Sequence, residues 1–287
     1  PDVIAINEAN ELPGYIQRLA KDTGYDFICH VGVSGVNFFG AGFPLNLREG
    51  DALLARKGLQ LEKVGRKQLS GWPVYNQVSF NFGDAVQVLV GKITIDDKDL
   101  YIAVTHLHAS VPDIDQYRSL ALKYRNELKF SDKEYQAALT EMRKHTDRRV
   151  SEAEKLASYL KATLPADAPL VLMGDMNAEP DWPTMRLLAA NGFRDTFIER
   201  PGKSSFTWDG SINENILHYY DRNEHSASLI NCLEKYLNLS RIRIDFNLTN
   251  EGIPAHAVVD SEICANTKYL GVHPSDHFGI CSTIHVK

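Results

Sequence analysis

Several common sequence signals are missing from this chain of 287 residues. It has only four cysteines, and no two of them form a Cys-x-x-Cys pair, which argues against a structural zinc site. No apolar run approaches the roughly 20 residues that a membrane-spanning helix needs. No basic segment followed by an apolar one marks a signal peptide. We therefore expect a soluble protein without a transmembrane segment, either cytoplasmic or secreted.

Two enzyme motifs and an excess of basic residues are also missing. The glycine-rich segment from Gly32 to Gly50 lacks Gly-x-Gly-x-x-Gly spacing, which excludes the usual dinucleotide site. Ser34 stands in Gly-Val-Ser-Gly, which is not the spacing of a nucleophile elbow. The formal net charge of −6 counts mildly against sequence-independent binding of nucleic acid. A bound divalent cation would still let an acidic protein approach a polyanion.

The pattern of apolar residues predicts a mixed α/β (α+β) domain over residues 1–287. Val86–Ile95 and Leu100–Leu107 read as a hairpin, and residues 111–147, with an amphipathic run continuing to Leu164, read as one or two helices after it. Other predicted strands are Val3–Ile6, Leu170–Met173, Ser205–Trp208, Ile242–Leu248 and Gly279–Ile284. Because helices and strands do not alternate strictly, we expect two packed mixed sheets flanked by helices rather than a doubly wound parallel sheet.

The most informative segment is Gly-Asp-Met-Asn-Ala-Glu-Pro at 174–180, which directly follows a predicted buried strand. Asp175 and Asn177 should point out of the sheet together. Asp175 can accept or donate a proton, and Asn177 can donate a hydrogen bond to an anionic oxygen. An isolated Asp-x-Asn more often only stabilises a turn. The catalytic interpretation therefore depends on other segments.

Histidines and carboxylates stand at the ends of other predicted strands. His106 and His108 could bind zinc from one face, but no third ligand follows at zinc-like spacing, so we expect one to be structural and one to meet substrate. Glu8 follows the first strand and suits a hard cation. The ordinary pKa of a histidine suits His277 to act as a base near neutrality, and a carboxylate such as Asp245 could fix its tautomer.

These segments together resemble the endonuclease/exonuclease/phosphatase superfamily. It includes pancreatic-type deoxyribonuclease, abasic-site endonucleases, neutral sphingomyelinases, inositol-phosphate 5-phosphatases and poly(A) deadenylases. The matching segments occur in the same order and are residues 1–8, 105–109, 174–180, 243–246 and 275–279. The resemblance implies a four-layer αββα sandwich, with an active site where the strand ends meet.

The resemblance also implies a role for each matched residue. Glu8 would bind Mg²⁺ or Mn²⁺, and Asp276 would complete the shell of the metal and the histidine. His277, oriented by Asp245, would act on the attacking water. The remaining implied roles belong to Asp175 as the second acid or base, Asn177 as a ligand of a phosphoryl oxygen, and His108 as a contact or proton donor to the phosphate.

The resemblance predicts a phosphodiester substrate, either nucleic acid or a phospholipid head group, and a protein that acts as a monomer. Trp208 could stack on a base or flank a head group, although ordinary core packing explains it equally well. The segment Thr-His-Leu-His-Ala at 105–109 is more similar to the sphingomyelinase and deadenylase branches than to the abasic-site nucleases. The segments 111–147 and 211–240 are insertions relative to compact members of the superfamily.

Three alternatives stay open at this point. A catalytically silent module could keep the fold and bind phosphate-bearing partners. A zinc hydrolase could use His106, His108 and His273. In the superfamily, a strand ending in an Asn metal ligand also lies upstream of the segment that begins at Pro1. We expect that this strand has been removed from the chain, the alternative being that the protein lacks the ligand.

Overall fold

The computed structural model describes residues 1–34, 37–38, 41–42, 48–71, 78–79, 85–198, 203–221 and 228–286. The strands are β1 Val3–Ala9, β2 Tyr25–Ser34, β3 Asn37–Phe38, β4 Ala41–Gly42, β5 Arg48–Arg56, β6 Glu62–Gln68, β7 Val78–Ser79, β8 Gln87–Ile95, β9 Lys98–His106, β10 Leu170–Asp175, β11 Arg194–Asp195, β12 Trp208–Asp209, β13 Arg241–Ile242, β14 Asp245–Thr249, β15 Val258–Cys264 and β16 Gly279–Ile284. The helices are α1 Gly14–Thr23, α2 Asp115–Leu128, α3 Asp132–Thr163, α4 Pro183–Ala190, α5 Glu214–Asp221 and α6 Leu229–Asn238.

Two sheets form the centre of the molecule. The larger has six strands in the order β11-β14-β10-β9-β8-β6, and only its β9–β10 pair is parallel. The smaller is antiparallel, in the order β1-β5-β2. The short pairs β12–β13 and β15–β16 and the small sheet β4-β3-β7 complete the described strands. This mixed pairing confirms the predicted fold class.

The alternation of side chains along β5 shows how the layers stack. Leu53 and Ala55 pack between the two sheets, whereas Ala52 and Leu54 face α1 on the other side. Successive side chains of a strand point to opposite faces of the sheet, so a strand with apolar residues on both faces is buried on both. Helices α2, α3, α4 and α6 cover the outer face of the six-stranded sheet through a third apolar cluster. The order of layers is therefore helix, sheet, sheet, helices.

The helical region after β9 is built from two helices. Both α2 and α3 begin within the predicted range 111–147, and α3 continues without interruption through the amphipathic run to Thr163. Ser131 caps α3: its hydroxyl accepts a hydrogen bond from the Glu134 amide, and the Glu134 carboxylate accepts one from the Ser131 amide at 2.8 Å. Such a capping box satisfies two main-chain donors that the helix cannot.

Some predicted strand limits differ from the structure. The predicted strand Ile242–Leu248 is divided between β13 and β14, because the segment between them bonds to Thr207 instead of continuing a ladder. The predicted strand Ser205–Trp208 is reduced to the two residues of β12. Much of the glycine-rich segment Gly32 to Gly50 lies outside the described residues. None of the described helices combines the length and apolar character needed to cross a bilayer.

Candidate active site

The register of the six-stranded sheet places three titratable residues in one row. Asp175, the last residue of β10, is paired with His106 of β9 on one side and with Asp245 of β14 on the other. Directly paired residues share a face of a sheet. The side chains of an aspartate, a histidine and a second aspartate therefore project together from the end of three adjacent strands.

Gly174 makes this row possible. Its φ is +136°, and a Cβ added there would lie 1.9 Å from the carbonyl oxygen of Thr105. A side chain at this position would push β9 and β10 apart or force the backbone into another conformation. The glycine of the Gly-Asp-x-Asn motif is thus required by the close approach of the neighbouring strand.

Asp175 is the buried centre of the site, with only 4% of its surface exposed. Its Oδ1 accepts a hydrogen bond of 2.7 Å from the Asn177 amide. Its Oδ2 lies 3.6 Å from Nε2 of His106 and 3.8 Å from Nε2 of His277. Burial, reinforced by the charge of Asp245, raises the pKa of Asp175 to about 6. This carboxyl can therefore exchange a proton near neutral pH.

His277 is held between two carboxylates. Its Nδ1 lies 2.9 Å from Oδ2 of Asp245, and its ring packs edge-on against Trp208 at 4.8 Å between centroids. Burial alone would lower the pKa of His277, but the charges of Asp245 and Asp175 outweigh it and raise the pKa to about 10. His277 is accordingly an imidazolium at neutral pH, and its Nε2 points towards Asp175.

The loop before His277 is anchored from α5. His273 donates its main-chain N–H to Glu214, whose Oε2 also lies 2.8 Å from His273 Nδ1 and 2.9 Å from Lys268 Nζ. The Asn213 amide donates to the carbonyl oxygens of Ser275 and Asp276, each at 2.9 Å. The position of His277 therefore depends on contacts well outside the site itself.

We expect Glu214→Gln to destabilise the protein at neutral pH. The hydrogen bond from Lys268, followed by those from His273, holds the pKa of Glu214 at about 2, below its ordinary 4.5. A depressed carboxyl pKa stabilises the folded state above the unfolded pKa and loses that effect as the pH falls through the folded pKa. Urea unfolding should show the deficit at full size above pH 4.5 and shrinking towards pH 2.

Glu262→Gln, at an exposed carboxylate on β15, is the matched control and should leave the unfolding midpoint unchanged. A Glu214→Gln midpoint equal to wild type at pH 7 would contradict the anchoring role of this residue.

Two sets of groups could hold a metal ion. Ligand atoms of Asp175, Asp245 and His277 all lie within 4.8 Å of one another. The second set is a cavity that Glu8, Glu49 and Asp51 line, with neither lysine nor arginine among its lining residues. Carboxylate oxygens are the donors that Mg²⁺ and Mn²⁺ prefer, so the chemistry of this donor set fits a hard divalent cation.

Asn7 connects the two sheets beneath this cavity. Its Nδ2 donates to Oδ1 of Asp51 at 2.7 Å and to the Thr105 carbonyl at 3.1 Å, and its Oδ1 accepts from the Asp175 amide at 3.2 Å. Burial raises the pKa of Asp51 to about 6 in spite of the hydrogen bond from Asn7. Asn7 therefore fixes β1 against β9 and β10, two of the three strands of the row.

The structure brings four of the residues expected in the site together. Asp175, Asp245 and His277 form one cluster, and Asn177 adjoins it through its hydrogen bond to Asp175. Glu8 lies at the edge of the cluster, with Oε1 3.6 Å from Nδ1 of His106. The Glu8 side chain is 59% exposed, in contrast to the buried Asp175.

The other three expected residues take different positions. His108 lines the carboxylate cavity, and its Nε2 lies 2.7 Å from Nδ1 of His145 on α3, so it is His106 that stands beside Asp175. Asp276 accepts a hydrogen bond from the Ser275 hydroxyl at 3.2 Å. Trp208 is half-buried and donates its indole N–H to the carbonyl of Asn238 at 2.7 Å, so that its ring forms a wall against His277.

The three histidines of the zinc alternative do not converge. His273 is bonded to Glu214, whereas His106 and His108 lie at the end of β9. Within the described part of the chain, the group of side chains close enough to share a metal is the aspartate–histidine cluster around Asp175. The geometry gives no support to a site of three histidines.

The structure is thus a four-layer sandwich with an aspartate–histidine cluster at one end of three adjacent strands, β9, β10 and β14. The family model described as the endonuclease/exonuclease/phosphatase family matches residues 1–277, and the chain belongs to this family. Members of the superfamily are typically metal-dependent enzymes that hydrolyse phosphoester bonds.

Solved structures of the same fold include TDP2 from D. rerio complexed with single strand DNA product, at 17% identity and a TM-score of 0.57. That match covers 100% of this chain and 86% of the other. A family protein from Leptotrichia buccalis has 18% identity and a TM-score of 0.56, covering 99% and 88% of the two chains. One from Bacteroides vulgatus has 14% identity and a TM-score of 0.59, covering 100% and 85%. No curated protein sequence is significantly similar to the chain.

Proposed function

We propose that this protein is a divalent-metal-dependent phosphodiesterase that cleaves its substrate by in-line attack of water. The observation that carries the proposal is the array Asp245–His277–Asp175, in which an imidazolium lies between two carboxylates with different environments. Asp245 holds the ring at 2.9 Å and fixes its orientation, while Asp175 is buried and titrates near neutrality. A buried carboxyl with a raised pKa beside a protonated imidazole is suited to acid or base chemistry.

The charges of these groups favour one assignment of the acid and base roles within this array. An imidazolium has no free pair for a water proton, so we assign the attacking water to Asp175. His277 then donates from Nε2 to a phosphoryl or leaving oxygen. This reverses the expectation that His277 acts on the water and Asp175 is the second group. Both assignments of acid and base use the same residues. The pH dependence of kcat in the His277→Ala and Asp175→Asn variants distinguishes one assignment from the other.

Asn177 and His108 complete the proposed contacts with the phosphate. The Asn177 carboxamide donates one hydrogen bond to the Leu107 carbonyl at 2.8 Å, which leaves its second proton for a phosphoryl oxygen. His108 remains a proposed phosphate contact from the wall of the carboxylate cavity. Trp208 is proposed to border the substrate, because its ring is half-buried and already touches His277.

Glu8, with Asp276 as a proposed second ligand, would hold Mg²⁺ or Mn²⁺. Such an ion would neutralise phosphate charge and, by polarising a phosphoryl oxygen, make the phosphorus more susceptible to attack by water. The observation that supports a metal-binding role for Glu8 is its open position: its side chain is 59% exposed and lies beside the buried Asp51. Asn7 and His106 would hold the surrounding carboxylates in place.

We expect Glu8→Gln to raise the Mg²⁺ concentration needed for half-maximal rate by about tenfold or more, because a carboxylate ligand becomes a neutral amide. The direct measurement is a Mn²⁺ binding titration followed by electron paramagnetic resonance. Glu11→Gln is the matched control, since Glu11 is 75% exposed and pairs with Arg18. Equal Mn²⁺ affinity in wild type and Glu8→Gln would remove Glu8 from the metal site.

The proposed function is tested by hydrolysis of bis-(p-nitrophenyl) phosphate and p-nitrophenyl phosphate with Mg²⁺, Mn²⁺ or chelator. Metal-dependent cleavage that prefers the diester supports the proposal, and preference for the monoester would redirect it to phosphatase chemistry. Panels of single-stranded DNA, RNA and sphingomyelin vesicles then separate the two substrate classes.

A catalytically silent phosphate-binding module of the same fold is the second candidate. Absence of turnover on every substrate, together with phosphate-ester binding that His277→Ala abolishes, would establish it.

A further inference from the structure

The longest helix carries a buried arginine that the proposed chemistry does not use. Arg149 of α3 has 1% of its surface exposed and is among the largest fully buried side chains of the protein. Its guanidinium packs over the ring of Trp182, with Cζ 5.6 Å from the ring centroid. Burial of a charge is costly unless it is hydrogen-bonded. The hydrogen-bond acceptors of the Arg149 guanidinium therefore indicate the role of this residue.

Those acceptors are main-chain carbonyls on the two loops of the active site. Nη1 donates to His108, 3.2 Å away, and to Asn177, and Nη2 donates to Ser110 at 3.2 Å. His108 and Ser110 belong to the loop that follows β9, and Asn177 belongs to the loop that follows β10. One planar group thus bridges both loops behind the site.

The Asn177 backbone needs such a restraint. Its φ is +47°, in the left-handed region that residues other than glycine rarely adopt, although Asn tolerates it better than most. This conformation turns the Asn177 carbonyl towards Arg149, while the carboxamide bonds to the Leu107 carbonyl and the amide to Asp175. The arginine therefore supports the conformation that aims Asn177.

We propose that Arg149 is a positioning residue that sets the spacing of the two loops and so places Asn177 against the phosphate. A guanidinium suits this task because its donors diverge in a fixed plane, whereas an ammonium is a single point of charge. Arg149 itself touches no reacting atom. The kinetic part of the proposal rests on the proposed function, but the structural part does not.

The structural part is tested by hydrogen exchange of assigned main-chain amides in Arg149→Lys. We expect the amides of His108 and Asn177 to exchange about tenfold or more faster than in wild type. The variant keeps the positive charge but loses the diverging N–H donors of the guanidinium that bond to both loops. Amides in β8 should exchange at their wild-type rates. Arg143→Lys is the matched control, since Arg143 lies on the same helix, 69% exposed.

The kinetic part is tested with bis-(p-nitrophenyl) phosphate. Arg149→Lys should lower kcat by about a hundredfold while KM changes by less than about threefold, as expected for misplaced catalytic groups. A merely structural role would lower the melting temperature without this split. Added guanidinium ion should partly restore kcat in Arg149→Ala, and it should not do so in Arg143→Ala.

The outcomes separate this proposal from the proposed function. Faster exchange confined to the two loops supports the positioning role even if wild type cleaves neither ester. Unchanged exchange, or an unchanged kcat in an active enzyme, overturns it. If Arg149→Lys does not fold, the wild-type Arg149 side-chain N–H signals decide: slow exchange with solvent supports the three hydrogen bonds, and fast exchange overturns them.

Discussion

His277→Ala should lower the turnover of a phosphodiester substrate by about a hundredfold or more, the usual size of a lost acid–base group. The ring places its Nε2 3.8 Å from Oδ2 of Asp175, and it carries a positive charge because Asp245 lies 2.9 Å from its Nδ1. Alanine removes both the proton and the charge from the site. Imidazole added to the variant should restore part of the rate by entering the space that the side chain leaves.

His256→Ala is the matched control, because His256 is exposed and lies in the turn before β15. A second check uses stability. The pKa of His277 is raised from 6.5 to about 10, so the ring stabilises the fold fully below pH 6.5 and loses that effect as the pH rises through 10. The melting-temperature gap between wild type and His277→Ala should therefore close across this interval. A rate near wild type in the variant would exclude His277 from the chemistry.

Asp175→Asn should lower turnover by about a hundredfold or more and leave the protein equally or more stable. Asparagine has the same shape as aspartate but cannot accept the water proton. Burial raises the pKa of Asp175 to about 6, so its ionised form costs folding free energy in full above that pH, and the cost shrinks between pH 6 and 3.8 and is absent below 3.8. Removing the charge at pH 7 removes this cost.

The measurement is kcat together with the melting temperature at pH 7.5, for wild type and Asp175→Asn. Asp167→Asn, at an exposed aspartate, is the matched control. The wild-type rate should also fall as the pH drops below about 6, because Asp175 must be ionised to act as the base. A variant that is both active and less stable would mean that Asp175 serves the fold rather than the reaction.

The irregular order of helices and strands predicted the fold class, and the resemblance carried by motifs at strand ends implied the main cluster. Asp175, Asp245 and His277 each follow or begin a short apolar run, and the meeting of strand ends is a general property of such sheets. The pairing of β10 with β9 and β14, which places Asp175 opposite His106 and Asp245, is a long-range property that local sequence does not contain.

The rest of the site depends on contacts that have no local signal. His106 and His108 look equivalent at i, i+2 spacing, but β9 ends at His106, and the alternation of faces ends with it. No local feature of the sequence marks Asp51 or Arg149 as buried. Only the packed structure shows that one is buried beside Asn7 and the other behind two loops. A lone charge on an amphipathic helix is a poor signal of burial.

The row of side chains across β9, β10 and β14 has a consequence for how such a protein can diversify. A one-residue slip in any of these strands would turn its polar end group to the opposite face of the sheet. Insertions can therefore accumulate in the connecting segments but not within the three strands. A lineage built on this frame is free to change the loops around the site while the spacing of His106, Asp175 and Asp245 stays inherited.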